Sequence, residues 1–256
     1  PVADSAIGHH ADWILFMAFV TRKSKLGLVY RFIVVVLRPL LVLFTKRDYR
    51  GVENLAQDSG IVVAMNHNSW FDPFVVAQFM WDNNRPPKFL AKSGIFKIPV
   101  IGQLVYLAGQ IPVYRESRHA KIAVRGAIKA VEKGEAVVLS PEGTLTRDPK
   151  LWPMEGKTGA ARIALATKLP VIPVAHWGAQ FVLAPYSKKL KLLPRKTMMV
   201  KAGPPVDLSD LYDQEITGEL LKIATSRIMD AITKELADLR NETPPSQRMP
   251  WTKERP

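Results

Sequence analysis

Ile61-Val62-Val63-Ala64-Met65 runs without a break into Asn66-His67-Asn68-Ser69-Trp70-Phe71-Asp72. Five consecutive apolar residues, three of them β-branched, read as a strand buried on both faces. The polar turn that follows leads into Trp70–Trp81, whose pattern predicts a helix. A buried strand passing through a short turn into a helix is the repeating unit of an open α/β sheet. In such sheets ligands sit beyond the carboxyl ends of the strands. His67 occupies that position. A neutral imidazole suits removal of a hydroxyl proton near pH 7. A carboxylate on its other nitrogen would fix the tautomer and stabilise the imidazolium. Asp72, five residues on, is in reach if it lies in the first helical turn. Ser69-Trp70-Phe71-Asp72 is equally a capping box, with Ser69 as N-cap and Asp72 at N3. One aspartate can serve both purposes.

The same texture continues in both directions. Lys88–Ala91, Gln110–Tyr114, Glu135–Leu139, Val171–Trp177 and Thr197–Ala202 read as strands. Arg118–Glu132, Thr158–Lys168 and Glu215–Leu239 read as helices. The fold class predicted is α/β, a mixed, largely parallel sheet flanked by helices with an N-terminal helical membrane-association element. Residues 1–46 form that element and 47–240 the α/β domain. The Pro-rich polar stretch 241–256 is expected to be a poorly ordered tail.

The N-terminal element rests on residues 26–44, an apolar run close to the roughly 20 residues of a spanning helix. Arg31 and Arg38 interrupt it, and a central arginine costs about 2.5–3.5 kcal/mol on insertion scales. They lie seven apart, on one stripe with Ser24 and Thr45. That predicts a helix lying in the interface with Arg31 and Arg38 turned toward lipid phosphates. The alternative is a helix packed on the domain with both arginines at its rim. Eight of residues 21–50 are basic and only Asp48 is acidic, a balance that favours an anionic membrane face. The apolar stretch Trp13–Val20 is followed by Thr21-Arg22-Lys23, without the small-residue cleavage site of a signal peptide.

Composition bounds the function. The 256 residues include 36 Lys and Arg against 23 Asp and Glu, a formal charge of +13, which calls for an anionic partner. There is no cysteine, which excludes disulfides, thiolate metal ligands and a cysteine nucleophile and suits a reducing compartment. Ser140-Pro141-Glu142-Gly143-Thr144 follows a second buried strand and brings polar groups to the same sheet edge as His67. Read alone, it is an ordinary strand–helix turn. Lys92 and Arg115 each follow a strand, and Arg147 and Lys157 follow the Glu142 turn; converging on one edge, the four would make a phosphate site. Lys188, Lys189, Lys191, Arg195, Lys196 and Lys201, interleaved with leucines, read as an exposed hairpin or interfacial loop. That run lacks the aromatic residues of a nucleic-acid surface.

Four segments, in order, resemble the glycerolipid acyltransferases typified by lysophosphatidic acid acyltransferase, in their bacterial form. They are Asn66–Asp72, Gly109-Gln110-Ile111-Pro112-Val113-Tyr114-Arg115, Pro141-Glu142-Gly143-Thr144 and Leu169-Pro170-Val171-Ile172-Pro173-Val174-Ala175. The resemblance spans about 50–205. It implies metal-free transfer of a fatty acyl group from acyl-CoA or acyl carrier protein to a glycerol phosphate. It makes His67 the general base, Asp72 its orienting carboxylate, and Arg115, Glu142, Gly143 and Thr144 the acceptor-binding residues, with Lys92 beside the acceptor phosphate. Leu145 stands where the family usually has arginine; Arg147 is the nearest substitute, with Lys157 beyond it. The expected acceptor is 1-acylglycerol 3-phosphate, with glycerol 3-phosphate, a glycolipid or another alcohol as alternatives. A scaffold without turnover has no need of a His–Asp pair. The expected partners are the acyl thioester, the phosphorylated acceptor and an anionic membrane, with no nucleic acid. The expected location is the cytoplasmic face of the cell membrane, peripheral or monotopic.

Overall fold

The computed structural model describes residues 27–114 and 117–252. Helix α1, Leu28–Phe44, leads directly into strand β1, Thr45–Arg50. Then follow β2, Ile61–Met65; α2, Asp72–Asp82; β3, Pro87–Lys92; α3, Ile101–Leu107; and β4, Ile111–Val113. The chain continues with α4, Ser117–Glu132; β5, Ala136–Leu139; α5, Gly159–Thr167; β6, Val171–Trp177; the short α6, Ala179–Val182; β7, Lys196–Ala202; and α7, Gly218–Arg240.

The seven strands form one sheet in the order β1-β7-β6-β2-β5-β3-β4. β6, β2, β5, β3 and β4 are mutually parallel. β7 is antiparallel to β6, and β1 is parallel to β7. The mixed, largely parallel sheet read from the sequence is therefore present, with β2 at its centre. β1 is a strand the sequence reading did not contain. Its pattern, Thr-Lys-Arg-Asp-Tyr-Arg, has almost no apolar content, as an edge strand permits.

The apolar run of β2 resolves into two faces. Ile61, Val63 and Met65 pack with Val75, Val76, Phe79 and Met80 of α2. Val62 and Ala64 pack with Val131 of α4, Ile163 of α5 and Ile228 of α7. Both faces are buried, so the run shows no polar alternation. Helix α7 is 23 residues long, capped by the Thr217 hydroxyl accepting from the Leu220 N–H at 3.2 Å.

Helix α1 reverses one expectation. Tyr30, Val34 and Leu41 are buried against Ala77, Trp81 and Ala108. Arg31 and Arg38 fall on this inner stripe, and Thr45 is buried as well. Arg38 Nε donates to Asp82 at 2.9 Å, with Arg47 on the other carboxylate oxygen at 3.1 Å. Arg38 therefore faces the domain instead of lipid phosphates, because Asp82 at the end of α2 neutralises it there. Arg31 is half-buried beside it. The outward face carries Leu28, Phe32, Val36, Leu40 and Leu43, all exposed. Among the described residues no helix is long and apolar enough to cross a membrane. Ser24 and the stretch Trp13–Val20 lie outside the described residues.

Candidate active site

The carboxyl ends of five parallel strands share one edge, and the central one, β2, delivers His67 there. His67 Nδ1 lies 2.8 Å from Asp72 Oδ2. Asp72 is fully buried. The same oxygen accepts from the backbone N–H of Asn68 at 2.6 Å and of Ser69 at 2.8 Å. Three donors thus converge on one buried oxygen, which can only accept from the backbone N–H groups and so takes the imidazole N–H as well. That fixes the proton of His67 on Nδ1 and leaves Nε2 as the basic nitrogen. The imidazole is one-fifth exposed, so it is reachable from the edge.

The capping reading is realised in altered form. The helix begins at Asp72 itself, and the N-cap position, Phe71, has no side-chain cap. Ser69 Oγ instead accepts from the Phe71 N–H at 3.0 Å and donates to the Leu183 carbonyl at 2.6 Å. Asp72 thus closes the turn and contacts the imidazole with one atom.

A second histidine, absent from the sequence reading, stands behind the pair. His176 of β6 is fully buried, its Nε2 2.9 Å from the Asn66 carbonyl and 3.7 Å from Asp72 Oδ2. The Asn66 amide closes a second bracket: Oδ1 accepts from the His176 N–H at 2.9 Å and Nδ2 donates to its carbonyl at 3.1 Å. These three bonds fasten the end of β2 to β6, one residue before His67. A polar residue within an otherwise apolar strand was the available signal.

Glu142 does not reach toward the open edge as an acceptor ligand would. Its side chain is completely buried. Oε1 accepts from the His67 N–H at 3.3 Å and Oε2 from the Met154 N–H at 3.0 Å. Burial, with Asp72 nearby, pushes its carboxyl up to about 8. The His67 carbonyl in turn accepts from the Thr146 N–H at 2.7 Å. The backbone on both sides of the imidazole is therefore held by the 142–146 turn. Gly143, at φ +66°, lets the chain turn there through the left-handed region that residues with a Cβ rarely adopt. Gly143 is exposed, Thr144 is half-buried, and Leu145 is buried.

The cations separate. Lys92 ends β3, exposed on the His67 edge. Arg115 lies outside the described residues, just beyond β4. Arg147 does not stand open for a phosphate: it donates to the Thr252 carbonyl. The Lys157 ammonium sits 4.1 Å over the Trp251 ring. The stretch expected to be a poorly ordered tail is thus packed on the site through residue 252. Trp251 Nε1 donates to the Glu142 carbonyl at 3.0 Å, and Met249 accepts from the Glu155 N–H at 3.0 Å. A tryptophan in a polar Pro-rich stretch was the signal for this docking. Among the described residues, no three His, Asp or Glu side chains are grouped to hold a metal ion.

Fold and site together define an open α/β sheet with a buried-carboxylate histidine at its carboxyl edge. The sequence pattern of the family described as Acyltransferase matches residues 46–177, just over half of the chain, and the chain belongs to that family. A chloroplastic 1-acyl-sn-glycerol-3-phosphate acyltransferase, BAT2 of Brassica napus, is 35% identical over 137 residues, 53% of this chain and 38% of that protein. The 1-acyl-sn-glycerol-3-phosphate acyltransferase of Bacillus subtilis is 28% identical over 209 residues, 80% of this chain and 98% of that one. The chain thus spans well under half of the plant relative. The crystal structure of the 1-acyl-sn-glycerophosphate acyltransferase PlsC from Thermotoga maritima superposes with a TM-score of 0.64. It covers 93% of this chain and 91% of that one at 21% identity, a likeness of fold.

Proposed function

We propose that this protein transfers a fatty acyl group from an acyl thioester to 1-acylglycerol 3-phosphate, giving phosphatidic acid. The observation that carries the reading is the 2.8 Å contact between His67 Nδ1 and a fully buried Asp72 oxygen. It leaves Nε2 to take the acceptor hydroxyl proton as that oxygen attacks the thioester carbonyl. Asp72 supports the imidazolium so formed, and the proton then passes to the departing thiolate. The N–H groups of Asn68 and Ser69 are committed to Asp72, and that of Gly143 to the Ser140 carbonyl at 3.1 Å, so the oxyanion draws its donor from the Thr144 N–H of that turn. Lys92, at the end of β3, and Arg115 bind the acceptor phosphate. The names of the plant and Bacillus relatives support this acceptor. No metal or other cofactor takes part in the mechanism.

The protein works on the cytoplasmic face of a membrane, bound peripherally through the exposed apolar face of α1. The net charge of +13 draws it to anionic lipid.

His67→Ala tests the mechanism. With radiolabelled acyl-CoA or acyl carrier protein and both glycerol phosphates, turnover should fall by about 10²–10⁴. Retention of wild-type turnover would sink the proposal. A second reading, an acceptor without phosphate, draws on the burial of Leu145 and the engagement of Arg147 with Thr252. An acceptor KM unmoved by Arg115→Ala would favour it.

A further inference from the structure

One cavity away from His67 joins positive charge to an unsatisfied buried donor. After β6 the chain turns at Gly178, whose φ of +119° and close approach to the Thr197 carbonyl admit no side chain. It then forms α6 and returns through residues 183–195 to β7. Because β7 runs antiparallel to β6, Lys196 at its start lies on the edge where β6 ends, which is also the His67 edge.

A cavity of about 460 Å³ opens there, lined by Gln180, Phe181, Ser187, Lys189, Lys191 and Lys196. Three of these are cationic and none is acidic. Gln180 is 6% exposed. Its Oε1 accepts from the Gly178 N–H at 2.9 Å, and its Nε2 is buried without a hydrogen-bond partner. A buried amide N–H without an acceptor is costly to leave unmade. Oxygens of an anion would satisfy it together with the lysines. Phe181, half exposed, offers a ring to a planar group beside them.

We infer that this cavity binds the phosphates of the acyl donor's carrier, taking coenzyme A at its nucleotide end. The inference rests on the proposed acyl transfer and adds where the donor lies. Direct transfer needs acceptor hydroxyl and thioester at His67 together, so their anionic ends must leave the site on different sides. Lys92 and β4 occupy one side of β2. The cavity occupies the other, two strands away, which is about 10 Å at the usual strand spacing. A pantetheine arm spans that distance. The cavity wall is also tied to the site and to α1. Ser69 Oγ donates to the Leu183 carbonyl at 2.6 Å, and Tyr186 Oη to the Leu145 carbonyl at 3.3 Å. Arg195 donates to the carbonyls of Val42 at 2.8 Å and Thr45 at 2.6 Å.

The test uses coenzyme A itself, titrated calorimetrically into the wild-type protein and a Lys189→Ala/Lys191→Ala variant. Both lysines are exposed, so the variant should keep its thermal midpoint. Its affinity for coenzyme A should fall at least tenfold, and acyl-CoA KM should rise correspondingly with acceptor KM unchanged. Gln180→Glu, which sets a carboxylate in place of the orphan donor, should reproduce the loss. Equal affinity in wild type and lysine variant, or no binding to wild type, overturns the inference. A parallel arm uses phosphatidylcholine vesicles with and without phosphatidylglycerol. If the variant loses the anionic vesicles but keeps coenzyme A, the cavity serves a lipid headgroup, and the inference is overturned. Lysine-dependent coenzyme A binding without transfer to any acceptor would leave the site standing while refuting the proposed function. Transfer with a donor KM insensitive to the lysines would do the reverse.

Discussion

At the scale of single residues, Glu142 shows most directly how burial and acid–base behaviour are linked. Its carboxyl titrates near pH 8 in the folded protein against 4.5 for the free side chain. A raised carboxyl pKa means the folded state holds a proton that the unfolded chain has released. Its contribution to stability is therefore full below about pH 4.5 and is lost as pH rises to about 8, at up to about 1.4 kcal/mol per pH unit. Glu142→Gln removes this titration but turns an amide N–H toward one of the two backbone donors. It should be destabilised at pH 5 by about 1–3 kcal/mol, with the gap to wild type narrowing by pH 8.5. Urea unfolding at several pH values measures this; a gap independent of pH would refute it. Asp72→Asn should keep the fold but disfavour the His67 tautomer with a basic Nε2, lowering kcat about 10²–10⁴-fold with little change in acceptor KM. His67 and Asp72 were legible because they are five residues apart and their meeting is decided by one turn. The brace from Glu142 was not legible, since it depends on Met154 being brought alongside by tertiary packing. Asn66 and His176, 110 residues apart, were hidden for the same reason.

At the scale of elements, periodicity located β2 and β6 to the residue and most helices to within a few, because their apolar content is decided by burial. It did not locate β1, whose side chains are mostly charged, or α3, whose apolar residues are largely exposed. On α1 it found the right stripe and gave it the wrong side. The arginines needed a counter-ion, and Asp82 lies 44 residues from Arg38 in sequence. What α1 offers outward is the apolar row of Leu28, Phe32, Val36, Leu40 and Leu43. Phe32→Asp and Leu40→Asp should cut co-sedimentation with anionic vesicles at least tenfold and leave the thermal midpoint unchanged. Unaltered vesicle binding would remove α1 as the anchor. The C-terminal stretch behaves as an element without regular structure. Trp251→Ala deletes the bond to the Glu142 carbonyl and the ring beneath Lys157. A stability loss of about 1–2 kcal/mol should follow, together with a raised acceptor KM as the 142–146 turn loosens. If neither changes, the docking of this stretch has no consequence for the site.

At the scale of the molecule, strand order decides what can act together. β2 lies centrally, with β5, β3 and β4 on one side and β6, β7 and β1 on the other. Strand identity and the parallel repetition were legible in the sequence, whereas this order was not, because it depends on crossovers whose lengths do not specify a neighbour. The order sets Lys92 and the 183–195 segment on opposite flanks of His67. Groups more than about 7–10 Å apart without shared partners contribute additively, within about 0.3–0.5 kcal/mol. Lys92→Ala should therefore raise acceptor KM alone, and Lys189→Ala/Lys191→Ala donor KM alone. Combined, the substitutions should lower catalytic efficiency by the product of their separate factors, as measured by initial rates over a grid of both substrates. A combined loss well below that product would mean the two flanks bind parts of one substrate, and the central position of His67 between donor and acceptor would have to be abandoned.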